Sequence, residues 1–373
     1  MIYLDNAATT QTFEGGADVY KDYSCQHFYN PSAGYGQAVD ISKELDGVRE
    51  NIKRKLGVEG KVIFTGGATE SNNLAIMGSK RNGKWEYVFS EGEHPSVYNV
   101  AKELEKQGFV VHFVKLHKEG HIDYFELEKV LNDRTRLISI MQVSNETGSI
   151  NDLKIVNMLR KKYAPKALLH VDGVQAFCKI NLSIEGLGVD FYTISAHKFH
   201  GPKGVGALYV KDINSLKPIV FGGGQENSYR SGTENVPGIM AMNYAINNID
   251  VYKNFNYVTK LQLLMRQILK QDKKVHVIDY TFSSPYILTA WFEGVNSETL
   301  VRALADKGVL IGKGSACSTK KSGNRILESI GFSLEQIKSH VRISFSEFNT
   351  EEEIEEAGEI ILDTYNEIWE KVS

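Results

Sequence analysis

A lysine at the end of an apolar run is the most reactive feature of this sequence. Lys198 follows VDFYTI (Val189–Ile194), which is typical of a buried strand, so Ser195, His197 and Lys198 should emerge at the carboxyl end of that strand. Apolar neighbours and nearby glycines should lower the pKa of the amine, and a neutral amine can form a Schiff base with an aldehyde cofactor. A surface lysine beside a Gly/Pro turn is the alternative interpretation.

A second segment is suited to holding a phosphate group. KVIFTGGATESNNLAIMGSKR (Lys61–Arg81) predicts a strand, a glycine turn and a helix. A helix that begins after Gly66, Gly67 and Ala68 directs free backbone N–H groups and the Thr69 hydroxyl toward one point, where an anion would bind. Thr69 could instead serve only to cap the helix.

Two motifs together carry a family resemblance. S-x-H-K followed by G-P-x-G-x-G, from Ser195 onward, resembles the pyridoxal-phosphate lysine segment of the class V aminotransferases, and in particular of the cysteine desulfurases. Matching motifs follow in the same order from YLDNAATT (Tyr3–Thr10) to RISFSEFNTEEEI (Arg342–Ile354). The resemblance implies a fold-type I pyridoxal-phosphate enzyme that acts as a homodimer.

The resemblance also implies roles for individual residues. Lys198 would carry pyridoxal 5'-phosphate, His94 would stack on its ring and move protons, and Asp172 would pair with the pyridine nitrogen. From sequence alone, His94 and Asp172 could equally be residues that cap helices. The complete set of expected cofactor contacts is Ala68, Thr69, His94, Asn145, Asp172, Gln175, Ser195, His197, Lys198 and, across the dimer interface, Thr233.

Cys317 is the candidate sulfur acceptor. Gly312, Gly314 and Gly323 bracket it in a polar segment, which predicts an exposed, mobile loop, and Lys320 and Lys321 would favour its thiolate. A buried, inert thiol is the alternative. In the resembling family, S-A-C marks the loop cysteine that attacks the sulfur of the bound substrate, so Cys317 is expected to be catalytic together with Lys198 and His94.

The substrate carboxylate is expected to meet Arg342, with Asn30 and Asn145 in support. A guanidinium is the natural bidentate partner of a carboxylate, although Arg342 could form an ordinary surface salt bridge and the two asparagines could be turn residues. The sequence also departs from the family pattern. Ser346 and Glu347 replace the usual Gly-Arg, no histidine follows the N-P-S segment closely, and L-x-P-S is missing after Cys317.

Composition limits the broad class of protein. A chain of 373 residues with 42% hydrophobic and 24% charged residues is typical of a globular protein, and a net charge of −3 gives no argument for nucleic acid or membrane partners. No apolar run approaches about 20 residues and the N-terminus lacks signal-peptide order, so we expect a cytoplasmic protein. Three scattered cysteines predict neither a disulfide framework nor a metal site.

The order of the elements predicts the fold class. Alternating strands and helices from Lys61 to Tyr209 favour an α/β, doubly wound and mostly parallel sheet. A smaller α+β C-terminal domain is expected because the element order changes near Asn254, and chains this long usually divide. The predicted boundaries are 15–253 for the large cofactor-binding domain, with 1–14 and 254–373 forming the small domain that carries the Cys317 loop.

The resulting hypothesis is a cysteine desulfurase that converts L-cysteine to L-alanine and takes the sulfur as a persulfide on Cys317, with a protein as the eventual sulfur acceptor. A selenocysteine lyase or another class V aminotransferase or lyase is an alternative with the same cofactor. A non-catalytic homologue that serves as a binding protein is an alternative of another class.

Overall fold

Strands and helices alternate along most of the chain in the computed structural model, which describes residues 1–181, 183–314 and 324–372. The strands are β1 (Ile2–Leu4), β2 (Lys61–Thr65), β3 (Glu86–Ser90), β4 (Val110–Val114), β5 (Thr135–Met141), β6 (Leu168–Asp172), β7 (Phe191–Ser195), β8 (Gly206–Val210), β9 (Val275–Val277), β10 (Ile287–Phe292), β11 (Val309–Ile311) and β12 (His340–Ser344). The α-helices are α1 (Glu14–Cys25), α2 (Gly36–Leu56), α3 (Ala68–Gly78), α4 (Pro95–Lys106), α5 (Tyr124–Val130), α6 (Leu153–Tyr163), α7 (Val236–Asn248), α8 (Val251–Leu269), α9 (Ser297–Asp306), α10 (Arg325–Ser329), α11 (Leu334–Lys338) and α12 (Glu351–Val372). Short 3-10 turns cover Ala196–Lys198, Ile213–Ser215 and Glu226–Ser228.

A seven-stranded sheet forms the centre of the larger part, in the order β2-β8-β7-β6-β5-β3-β4. β8 runs antiparallel to β2 and β7, and the other neighbouring pairs are parallel. The register aligns Met141 of β5 with Asp172 of β6, and Asp172 with Thr193 of β7. The carboxyl ends of these strands therefore meet at one edge, and the predicted α/β, mostly parallel class is confirmed.

Helices cover both faces of this sheet because its strands are apolar on both sides. On one face, Ile41 of α2, Leu127 of α5 and Val156 of α6 pack in one core cluster with residues of the sheet. On the other face, Leu74 of α3 and Val97 of α4 belong to a separate cluster. Burying each such aliphatic side chain contributes about 1.5–3 kcal/mol, so the apolar runs of the strands dictate the layered arrangement.

The smaller part has its own sheets and its own core. β12, β10 and β9 form an antiparallel sheet, and β1 pairs in parallel with β11. Ile2 and Leu4 of β1 share a core cluster with residues of α8, β10 and α12, such as Leu261, Leu288 and Tyr365. The N-terminal strand thus packs with the C-terminal elements, while the domain boundaries at 14/15 and 253/254 stay predictions.

After Asp172 the chain forms consecutive turns over residues 174–179, in which Cys178 has a φ of +59°. Cys178 is buried. The segment begins with Gly173 because the Tyr192 ring leaves no room for a side chain there. A Cβ on Gly173 would lie 2.1 Å from that ring. Within the described ranges, no helix is both long and apolar enough to span a membrane.

Candidate active site

A cavity of about 930 Å³ lies at the carboxyl ends of the central strands. Its walls combine strand ends, the start of α3, the N-terminal segment and β12. The predicted site residues that line it are Ala68, Thr69, His94, Asn145, Asp172, Gln175, Ser195, His197, Lys198 and Arg342. Most of the predicted site is therefore brought together in one chain.

Lys198 lies on the 3-10 turn that follows β7. Its Nζ donates to the backbone oxygens of Ala7 and Ala8, at 2.8 Å each. Burial, followed by the positive charge of Arg342, lowers the pKa of Lys198 to about 8, against the opposing charges of Asp172 and Asp5. The amine is therefore partly neutral near pH 8, which is the form that attacks an aldehyde.

The N-terminus of α3 faces the same cavity. Gly67 is its N-cap with a φ of +143°, and no side chain caps the helix, so the capping alternative for Thr69 is not observed. Gly206 lets the chain pass closely, since a Cβ there would lie 2.9 Å from the Cα of Gly67. Ala68 and Thr69 form the first turn, whose N–H groups have no partners within the helix. This arrangement suits a phosphate.

Asp172 presents a buried carboxylate from the end of β6. Its Oδ2 accepts from Asn72 Nδ2 at 2.9 Å, and its Oδ1 accepts from the backbone N–H of Val174 at 3.1 Å. Gln175 donates from Nε2 to the Ala7 oxygen at 2.9 Å and accepts at Oε1 from Lys179 at 3.1 Å. The carboxylate and the amide are thus held in place by the protein before any ligand binds.

His94 has the structural role that the sequence left open and also lines the cavity. It is the N-cap of α4, and its Nδ1 accepts from the Ser96 backbone N–H at 3.1 Å. His94 is exposed to the cavity, and the cavity itself is recessed into the protein. Burial of this site lowers the pKa of His94, against the opposing charge of Asp172.

Arg342 is held by acceptors on two sides of the cavity. Its Nη2 donates to Asp5 Oδ1 at 2.9 Å, and its Nη1 donates to the Asn145 backbone oxygen at 2.8 Å. Glu146 Oε1 lies 3.6 Å from Nη1. The residue is 7% exposed, so the surface salt-bridge alternative does not apply, and Nε is buried without a partner among the described residues.

Two of the predicted residues do not line this cavity, and a third lies outside the described residues. Asn30 is exposed and its Oδ1 accepts from the Ser32 backbone N–H at 2.9 Å, as a turn residue would. Thr233 is exposed in the single chain and does not line the cavity, although Arg230 nearby donates to Glu70 of α3 at 2.6 Å. Cys317 lies outside the described residues.

Sequence reasoning missed three polar residues beneath the cavity: Asn72, Ser96 and Lys179. Asn72 and Ser96 connect Asp172 to His94, and Lys179 holds Gln175. The available signals were weak: Asn72 lies in the polar run SNN within a helix, and Lys179 lies four residues after Gln175. Across the described ranges, no group of three or more His, Cys, Asp or Glu could hold a metal ion.

Comparison with known proteins identifies the class. Residues 2–356 match the family model described as "Aminotransferase class-V", so the chain belongs to that family. It is 33% identical over 381 residues to "Cysteine desulfurase IscS" of Dictyoglomus turgidum, covering 100% of this chain and 95% of the relative. It is 36% identical over 383 residues to "NifS/IcsS protein homolog" of Lactobacillus delbrueckii subsp. bulgaricus, covering 100% and 98%.

Solved structures agree. A "NIFS-LIKE PROTEIN" superposes with a TM-score of 0.91 at 31% identity, covering 98% of this chain and 99% of the other. A structure titled "SspA in complex with cysteine" superposes with a TM-score of 0.83 at 29% identity, covering 94% and 100%. The resemblance to the cysteine desulfurases that the motifs predicted is therefore confirmed.

Proposed function

We propose that this protein is a cysteine desulfurase that holds pyridoxal 5'-phosphate in the cavity and converts L-cysteine to L-alanine, with transfer of the sulfur to Cys317. The observation that carries the proposal is the convergence of three groups on one cavity: the Lys198 amine, the buried Asp172 carboxylate and the first turn of α3. Relatives named as cysteine desulfurases at about a third identity over the whole chain support the substrate and the reaction.

The residues present fit this cofactor. The N-terminus of α3 would hold its phosphate, Asp172 would face its pyridine nitrogen, and Lys198 would reach its aldehyde. Bound pyridoxal phosphate supplies an aldehyde that condenses with amines and a ring that withdraws electrons from the attached carbon. Ser195, His197, Gln175 and the other predicted contacts would complete its surroundings.

The side chains of this protein divide the remaining work. Arg342, with Asn145 beside it, would bind the carboxylate of cysteine, since its Nε has no partner among the described residues. Lys198, once released from the cofactor, would take the α-proton of the substrate as a neutral amine. The Cys317 thiolate would attack the substrate sulfur, so that a sulfur–sulfur bond forms while the substrate carbon–sulfur bond breaks.

The proposal extends to the assembly and setting of the protein. We propose a homodimer in the cytoplasm, in which Thr233 reaches the phosphate bound by the partner subunit and Asn30 contributes to the substrate site. Exposure of both residues in the single chain is compatible with this arrangement. The persulfide on Cys317 would then pass to a sulfur-acceptor protein.

An assay of alanine release from L-cysteine, with reductant present, tests the proposal. Wild-type protein loaded with pyridoxal phosphate should turn over, Lys198→Ala should not, and Cys317→Ser should lose alanine release while keeping the cofactor. Cys25→Ser changes an exposed cysteine that is far from Cys317 in the sequence. It serves as the matched control and should keep full activity. Full turnover by Cys317→Ser would rule out this thiol as acceptor, and failure to take up the cofactor would refute the assignment as a whole.

A further inference from the structure

Four polar groups form a continuous hydrogen-bonded bridge beneath the cavity. Asn72 Nδ2 donates to Asp172 Oδ2 at 2.9 Å and to Ser96 Oγ at 2.9 Å, and Ser96 Oγ lies 2.8 Å from His94 Nδ1. Asn72 and Ser96 are buried, on α3 and α4 respectively. The bridge thus joins the carboxylate at the end of β6 to the imidazole at the start of α4.

The direction of each hydrogen bond follows from the chemistry of the groups. The Asp172 carboxylate can only accept, so the Asn72 amide must present its nitrogen there. The second N–H of that nitrogen occupies one lone pair of Ser96 Oγ, which leaves the Ser96 hydroxyl proton free to donate to His94. The remaining amide oxygen, Asn72 Oδ1, is buried without a partner among the described residues, consistent with an amide oriented by its nitrogen.

The protonation of His94 follows from the same geometry. The Ser96 backbone N–H also donates to Nδ1, at 3.1 Å, and an N–H cannot donate to a nitrogen that carries a proton. Nδ1 therefore accepts twice, and the proton of the neutral ring lies on Nε2. Among the described residues Nε2 has no hydrogen-bond partner, and His94 lines the cavity.

We propose that Asn72 and Ser96 are positioning residues that hold His94 as the Nε2–H tautomer and make it a proton donor to the cavity. Protonation at Nδ1 would set a new N–H against the Ser96 backbone N–H, so His94 takes up a second proton reluctantly. The assignment of the His94 tautomer rests on hydrogen bonds within this chain. Only the use of His94 as a proton donor during the reaction rests on the proposed function.

Other charged groups also act on His94. Asp172 from β6 and Glu146 from the segment after β5 favour its protonation, whereas Lys198 and Arg325 of α10 oppose it. None of these groups is altered when the Ser96 hydroxyl is removed. Ser96→Ala therefore isolates the contribution of the bridge, and Ser96→Thr, which keeps a hydroxyl at the same position, is the matched rescue variant.

The test is nitrogen-15 NMR of histidine-labelled full-length protein, with and without pyridoxal phosphate, in which His94→Gln identifies the His94 signals. Wild type should show an unprotonated Nδ1 and a protonated Nε2. Ser96→Ala should raise the pKa of His94 by about half to one pH unit and populate some Nδ1–H, because one donor to Nδ1 is lost. Ser96→Thr should behave as wild type, and Asn72→Leu should shift the pKa in the same direction as Ser96→Ala.

Two results would overturn the inference: a protonated Nδ1 in wild type, or an unchanged His94 tautomer and pKa in Ser96→Ala. Should Ser96→Ala fail to fold, the wild-type spectrum still decides the tautomer. The alanine-release assay separates the two proposals. An Nε2–H ring in a protein without desulfurase activity would refute the proposed function alone, and an active enzyme with an Nδ1–H ring would refute the bridge alone.

Discussion

His200 Nε2 lies 3.2 Å from a carboxylate oxygen of Glu347, and the His200 side chain is 3% exposed. His200 Nδ1 lies 2.7 Å from the Gln11 backbone oxygen, which can only accept a hydrogen bond. Both ring nitrogens thus face oxygen atoms that can accept a hydrogen bond, and Nε2 pairs with the Glu347 carboxylate. Glu347 stands where the resembling family usually has arginine, so a negative side chain replaces a positive one. His200 provides the partner for that carboxylate.

We expect Glu347→Gln to lower the free energy of unfolding by about 1–3 kcal/mol at neutral pH, because His200 loses its charged partner. Burial acts to raise the pKa of Glu347, but the hydrogen bond and charge of His200 outweigh it and leave the pKa below its usual 4.5. A lowered pKa gives stability that is present above pH 4.5 and is lost as the pH falls through the folded-state value. Denaturant unfolding of wild type and variant should therefore converge in acid, and a difference that grows in acid would contradict the pairing.

Lys179 should reduce stability at neutral pH. Burial, followed by the positive charge of Lys198, lowers the pKa of Lys179 from 10.5 to about 7. The unfolded chain therefore binds more protons between these values, and wild-type stability should rise with pH across that range. We expect Lys179→Met to be more stable than wild type by on the order of 1–3 kcal/mol at pH 7, with the advantage shrinking toward pH 10.

The control for Lys179→Met is Lys161→Met, at an exposed lysine, which should change the free energy of unfolding by less than about 0.5 kcal/mol at every pH. If Lys179→Met were less stable than wild type at pH 7, the hydrogen bond from Lys179 to Gln175 would outweigh the cost of burying the amine. The two variants unfolded side by side in denaturant at pH 7 and pH 10 distinguish these outcomes.

The sequence predicted those site residues whose positions follow from the local pattern of strands and turns. Lys198 and Thr69 were identified because each follows an apolar strand, and Asp172 was identified from the family resemblance; in the structure, parallel strands bring their carboxyl ends to one edge. Their partners were not predictable in the same way. Asn72 reaches Asp172 across 100 residues of sequence, and Lys198 donates to Ala7 and Ala8 across about 190, so those contacts exist only once the layers pack.

Two residues, Thr233 and Asn30, were assigned from the family pattern, and neither lines the cavity of the single chain. For Thr233 the family pattern implies a contact across a dimer interface, and no spacing within one chain can locate such a contact. His94 shows a different limit: its local sequence suggested a helix cap or a functional imidazole, and in the structure it caps α4 and also lines the cavity.

Thr69→Val should weaken binding of pyridoxal phosphate by about 10- to 100-fold, because a hydrogen bond to a charged group is worth about 1.5–3 kcal/mol. Thr69→Ser, which keeps the hydroxyl, should bind close to wild type. Equilibrium titration followed by fluorescence measures the affinity. Pyridoxal without its phosphate provides the control and should bind all three proteins equally. A loss of affinity for both ligands would instead indicate damage to the start of α3.

Attachment of the cofactor to Lys198 should depend on pH in a way that reflects the buried amine. With a pKa of about 8, roughly a tenth of the amine is neutral at pH 7, far more than for a lysine in water. Because only the neutral amine attacks the aldehyde, the rate of covalent attachment to cofactor-free protein should rise about tenfold per pH unit below pH 8 and level off above it.

Borohydride trapping at timed intervals, followed by peptide mapping, measures this rate at Lys198. Lys198→Arg keeps the positive charge and should trap nothing at this position. A rate that continues to rise to pH 10 would show that the amine keeps the pKa of an exposed lysine, and that burial against the N-terminal segment does not activate it.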